Sequence, residues 1–133
     1  MPLISSHATI NLEMFEGASL YQEFIWETGD PSVPVDLTGM TARMQVRDEI
    51  EDTVVIFDLN TENGGIILVS NPPDDGKYVI YISRENTEGL CPDHTKRFLV
   101  YDLFFYIGTE EAGLHQRGKI SLYPSVTRPN EDP

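Results

Sequence analysis

Thr41-Ala42-Arg43-Met44-Gln45-Val46-Arg47 is the stretch on which the fold turns. Ala42, Met44 and Val46 lie on one side of an extended backbone. Thr41, Arg43, Gln45 and Arg47 lie on the other. Apolar and polar residues alternating with period two mark a strand with one face on a core.

The same signal recurs on either side. Residues 9–14 alternate and then meet Glu16-Gly17. Residues 19–26 place Leu20, Gln22, Phe24 and Trp26 on one side. Strands are also predicted over residues 54–59, 66–69 and 77–82. Residues 98–107 form the longest apolar run, ten residues with five aromatics, which fits a central strand. A returning strand follows over 117–124, with Val126-Thr127-Arg128 extending it. Turn chemistry separates these runs: Gly29 to Pro34, Asn63-Gly64-Gly65, Asn71-Pro72-Pro73-Asp74-Asp75-Gly76 and a loop over Glu110-Glu111-Ala112-Gly113. Residues 83–90 hold one helical turn with Ser83 as N-cap. Seven or eight short strands and no long helix predict an all-β sandwich. Uneven strand lengths and the long loop over 27–40 favour a sandwich over a closed barrel.

At 133 residues the chain is read as one domain, residues 1–133, frayed at about 1–8 and 129–133. Nine Lys and Arg against twenty-two Asp and Glu give a net charge of −13. Phosphate backbones and anionic membranes are bound by cations, so neither nucleic acid nor membrane is an expected partner. No apolar run approaches the length of a membrane-spanning helix, and Met1 to His7 lacks the form of a signal peptide. A lone cysteine excludes an internal disulfide, and the composition fits a soluble protein made in a reducing compartment. Residues 1–66 carry twelve acidic and two basic residues, net −10; residues 67–133 carry ten and seven, net −3. That split suggests an acidic half facing a more basic half of a neighbouring copy, or simply a solvated surface.

Candidate chemistry is sparse. His7, His94 and His115 are far apart in sequence and read as solvated surface residues. Cys91 precedes His94 by three residues, yet reads as a half-buried structural thiol rather than a nucleophile. Asp74-Asp75-Gly76 and the acidic stretch Asp48-Glu49-Ile50-Glu51-Asp52 lack the order of a calcium-binding loop. No phosphate-binding, hydrolase or metalloprotease motif is present. No catalytic, cofactor-binding or metal-binding residue is therefore assigned, and no cofactor is expected. On the long strand, Tyr101, Phe105 and Ile107 share one face; Asp102, Phe104 and Tyr106 share the other. Two apolar faces suggest a strand covered on both sides, by a loop or by another chain. Arg43, Arg47 and Arg117 are candidate partners for Asp102.

The order of the pieces carries a resemblance. Glu16-Gly17-Ala18-Ser19 opens a strand ending in Phe24-Ile25-Trp26. Val33-Pro34-Val35-Asp36-Leu37-Thr38-Gly39 leads into the Thr41 strand. Val100-Tyr101-Asp102-Leu103, Arg117-Gly118-Lys119-Ile120 and Val126-Thr127-Arg128 follow. Over residues 10–128 this resembles small virion proteins of tailed bacteriophages. It is similar to the immunoglobulin-like N-terminal domain of upper baseplate proteins and to collar proteins at the siphophage tail tip. Ala18-Ser19 departs from the pattern, which has an acidic residue after the glycine, and the loop over 90–97 has no counterpart. The resemblance implies an immunoglobulin-like antiparallel β-sandwich without catalysis. It implies a structural role in the virion tail or baseplate: a ring of identical copies, or a link to receptor-binding fibres. Its partners would be copies of itself and other phage tail or baseplate proteins. Competing expectations are a capsid decoration or head–tail completion protein, a carbohydrate-binding module using Trp26, Tyr21 or Tyr106, and a small carboxylate-dependent hydrolase.

Overall fold

The computed structural model describes residues 8–29, 31–69, 75–108 and 111–127, with backbone alone at 111 and 112. Its strands are β1 (Ala8–Thr9), β2 (Leu12–Phe15), β3 (Leu20–Ile25), β4 (Glu27–Thr28), β5 (Val33–Pro34) and β6 (Met40–Arg47). They continue with β7 (Phe57–Asn60), β8 (Ile66–Leu68), β9 (Lys77–Ile82), β10 (Arg97–Ile107) and β11 (Glu111–Tyr123). A single helical turn, α1 (Arg84–Thr87), and a 3-10 turn (Pro92–His94) separate β9 from β10.

Two sheets enclose one core. The large sheet runs β11-β10-β6-β7 in antiparallel order, with β1 and β2 both lying parallel on the outer edge of β11. The small sheet is β3-β9-β8, all antiparallel. The alternation read in residues 41–47 holds: Ala42, Met44 and Val46 are buried, and Arg43 points to solvent. Met44, Val46, Leu99, Leu103, Phe105, Ile120 and Leu122 of the large sheet meet Ile66, Tyr78, Ile80 and Ile82 of the small one. None of these eleven side chains is more than 1% exposed, so hydrophobic burial between the layers is the main force holding them together. The chain is thus an all-β sandwich, with eight strands of three residues or more among the described residues. The parallel pairing of β1 and β2 departs from the purely antiparallel expectation.

The Asp36 turn forms as its residues dictate. The Thr38 amide donates to Asp36 Oδ1 at 2.9 Å, Gly39 takes φ +78°, and Leu37 tucks into the core. Gly118 has a different task. Ile10 and Asn11 cross β11 there, the Ile10 amide bonding the Arg117 carbonyl at 2.8 Å and Asn11 Oδ1 accepting from the Lys119 amide at 3.0 Å. A Cβ at Gly118 would collide with the Ile10 carbonyl.

Other expectations need correction. β7 begins at Phe57, not at 54: the Ile56 amide still bonds the Val46 carbonyl at 2.7 Å, but residues 48–55 turn, tied by Arg47 Nη1 donating to the Asp52 carbonyl. Val54 is left in solvent. The loop predicted over 110–113 is strand from Glu111 onward, since every residue from 111 to 114 has a partner on β10. Ser83 occupies the N-cap position of α1 but makes no side-chain cap bond. The buried Thr87 does the local tying: its Oγ1 accepts from the Gly17 amide and lies 3.0 Å from the Ala18 carbonyl. Val126 and Thr127 add nothing to β11. His7, the turn residues 71–74, Glu110 and Arg128 lie outside the described residues.

Candidate functional site

The outer face of the large sheet carries the chemistry of this surface. Strand alternation sends Thr41, Arg43, Gln45 and Arg47 outward from β6, and Phe98, Val100, Asp102, Phe104 and Tyr106 outward from β10. Register then builds cross-strand rows. Val100 sits between Arg47 and Lys119, Asp102 between Gln45 and Arg117, and Phe104 between Arg43 and Leu114. Residues directly opposite across a ladder share a face, so these rows place cations from both halves of the chain side by side. Lys96 adds a fifth, its ammonium 4.9 Å from the Phe98 ring centre and 4.5 Å from that of Tyr123. Five of the nine Lys and Arg residues thus occupy one face of a protein of net charge −13. The same face also carries Asp58 and Asp102, and the acidic stretch 48–52 borders it, so cations and anions meet here side by side.

Some of these cations are committed. Arg43 makes a two-pronged bond to Asp58 on β7, at 3.1 and 2.6 Å, and holds that carboxyl below the usual range. Arg47 donates to the Asp52 carbonyl and to Gln45 Oε1. Arg117 and Lys119 make no side-chain ion pair among the described residues. Asp102, between them and Arg47, forms no ion pair within 4 Å among the described residues, and Arg43 is taken by Asp58. Desolvation on the sheet pushes the Asp102 carboxyl up, against the opposing pull of Arg117 and Arg47. Gln45, Arg47, Arg117 and Lys119 line a groove of about 780 Å³ between β6 and β11, with Val100 and Asp102 in its floor and Ile50 and Leu114 on its rims; Arg43 and Asp58 lie outside it.

The acidic stretch over 48–52 forms the β6 rim. Arg97 grips Asp48 through two bonds of 2.8 and 2.7 Å and holds its carboxyl low. Glu49 stands among Glu51, Asp52 and Asp48, which push its carboxyl up. Ile50 projects between the two glutamates, 73% exposed. Among the described residues no three His, Cys, Asp or Glu side chains gather as a metal site.

The other sequence candidates disperse. Cys91 is buried, its amide donating to Glu16 Oε2 at 2.9 Å, and burial with the Glu16 charge pushes the thiol up. A raised thiol is a poor nucleophile at neutral pH. His94 sits in the 3-10 turn at φ +56°. His115 is not a surface residue. The register between β10 and β11 shifts at Leu103/Phe104, which gives β11 one extra residue, and the bulge turns both His115 and Gln116 inward. His115 packs against Trp26, Tyr78 and Phe105, with centroids 4.2 to 5.5 Å away, and burial lowers its pKa to about 4. Gln116 is fully buried, accepting from the Tyr78 hydroxyl at 2.6 Å and donating to that of Tyr101 at 2.8 Å.

Trp26 is buried and cannot serve a sugar platform. Tyr21 and Tyr81 are exposed on the small sheet but meet edge to face at 68°. Their neighbours Ile25 and Ile67 make a second, smaller apolar surface there. No helix among the described residues is long and apolar enough to cross a membrane. Compared with protein-family models and with curated proteins, the sequence matches none.

Proposed function

We propose that this chain is a non-enzymatic structural protein of a phage virion tail or baseplate, assembling with copies of itself into a collar or joining the tail to other subunits. The observation that carries the self-assembling part is that five of the nine Lys and Arg residues gather on one sheet face, beside the acidic stretch 48–52. Such a face finds its complement on another copy of the same chain. Exposed Phe15, Phe98 and Ile50 on and beside this face supply the aromatic and apolar contacts that interface centres use. The strand order supports the immunoglobulin-like part of the reading. An initial strand parallel to the last, with the final two strands, β6 and β7 completing that sheet, faces a three-stranded sheet. The virion assignment itself rests on the ordered sequence resemblance.

Native mass by light scattering, across a salt series, tests the reading. A discrete oligomer that loses mass as salt rises is expected. Arg117→Glu with Lys119→Glu should lower that mass at low salt. A 15.0 kDa monomer under all conditions would reject self-driven assembly.

The carbohydrate-binding reading has Tyr21 and Tyr81 in its favour, yet edge-to-face rings offer no flat platform for a sugar face. Binding on a glycan array, abolished by Tyr21→Ala, would revive it.

A further inference from the structure

The groove and its acidic rim belong to the same surface, and that adjacency constrains how two copies can meet. Arg117 and Lys119 stand on the β11 side without ion pairs among the described residues. Glu49, Ile50 and Glu51 stand on the β6 side, two crowded carboxylates flanking an exposed apolar tip. One strand, β10, lies between β6 and β11, so the backbones at Arg47 and Lys119 are separated by two strand spacings, roughly 10 Å. Among the described residues of one copy the rim glutamates have no cation of their own: Arg97 is held by Asp48 and Arg47 by backbone and Gln45.

We propose that the occupant of this groove is the rim of a second copy, residues 48–52, in a two-fold contact. This deepens the self-association reading and rests on it. Glu49 and Glu51 of one copy face Arg117 and Lys119 of the other. Ile50 lies over Val100 and Leu114, the apolar floor and far rim. Rim and groove are neighbours, so seating one copy's rim in its partner's groove brings the partner's rim to the first copy's groove. The contact is therefore made twice and is self-complementary, as a two-fold interface requires. Head-to-tail growth of a ring would need a different surface, such as the one that holds the exposed Tyr21, Ile25 and Ile67.

Charge-swap mixing tests this. All the substituted side chains are exposed, so the fold should survive, as circular dichroism would verify. Glu49→Lys with Glu51→Lys gives a rim variant; Arg117→Glu with Lys119→Glu gives a groove variant. Each alone opposes like charges in both contacts and should weaken self-association at least about tenfold by sedimentation velocity. Mixed in equal amounts, the two variants oppose unlike charges in both contacts, and the complex should return. Ile50→Ser should weaken the wild-type contact without altering its salt dependence. Weakening of each variant without recovery on mixing would overturn the two-fold contact while leaving self-assembly standing. Wild-type protein that stays monomeric would remove both ideas together. An oligomer unmoved by either variant would place assembly on another surface and reject the groove.

Discussion

His115 is the residue whose setting departs furthest from its chemistry. It is enclosed by Trp26, Tyr78 and Phe105, its Nδ1 has no hydrogen-bond partner, and its pKa falls to about 4. Between about pH 6.5 and pH 4 the unfolded chain takes up a proton that the folded chain refuses. Stability therefore falls as pH drops through that window, by up to about 3 kcal/mol from this residue. His115→Phe should flatten the dependence of melting temperature on pH between 6.5 and 4. An unchanged slope would show that the imidazole does not carry it. Asp48 and Asp58, held low by Arg97 and Arg43, lose their contributions at still lower pH, so the two effects separate along the titration. Nothing in the sequence announces this site. A bulge inverts the facing of one residue, and period-two counting assumes that no such insertion occurs.

At the scale of the element, β11 is the strand on which the large sheet depends. It pairs with β10 along one edge and with β1 and β2 along the other. Gly118 allows the crossing at Ile10 and Asn11, so Gly118→Ala should destabilise the protein by about 1–3 kcal/mol, read from the urea midpoint. Loss of amide protection at Ile10 and Lys119 would accompany it; a variant with wild-type stability would show that the chain simply shifts aside. The alternation of residues 41–47 was legible, one residue short of Met40–Arg47, and the apolar run Lys77–Ile82, following a turn, coincides with its predicted span. Residues 54–56 were β-branched enough to pass for strand, yet they lie at the end of a turn that the bond from Arg47 to the Asp52 carbonyl helps to hold, and only Ile56 reaches β6. That bond spans two segments, and a local pattern does not encode it. The cationic face was legible only in part. The alternation that puts Arg43 and Arg47 outward is visible in sequence, whereas their alignment with Arg117 and Lys119 needs the register of three strands.

For the molecule as a whole, charge sets two responses to salt with opposite signs. A net charge of −13 repels itself, and screening relieves that repulsion. Melting temperature should therefore rise by a few degrees as ionic strength goes from about 0.01 to 0.15 M, where the Debye length falls from ~30 to ~8 Å. Over the same range a contact built on Arg117 and Lys119 should weaken. Parallel changes in the two measurements would show that fold and assembly do not draw on separate charges. The parallel pairing of β1 and β2 with β11 carries a consequence for biosynthesis. Residues 8–15 leave the ribosome before their partners, residues 116–123, which are made more than a hundred residues later. Until then Leu12 and Met14, buried in the finished protein, lack the strand that holds β2 on the sheet. The β11 side of the large sheet therefore forms in a single late event, and a nascent chain arrested before β11 presents the open edge of β10 to whatever else is in the cell.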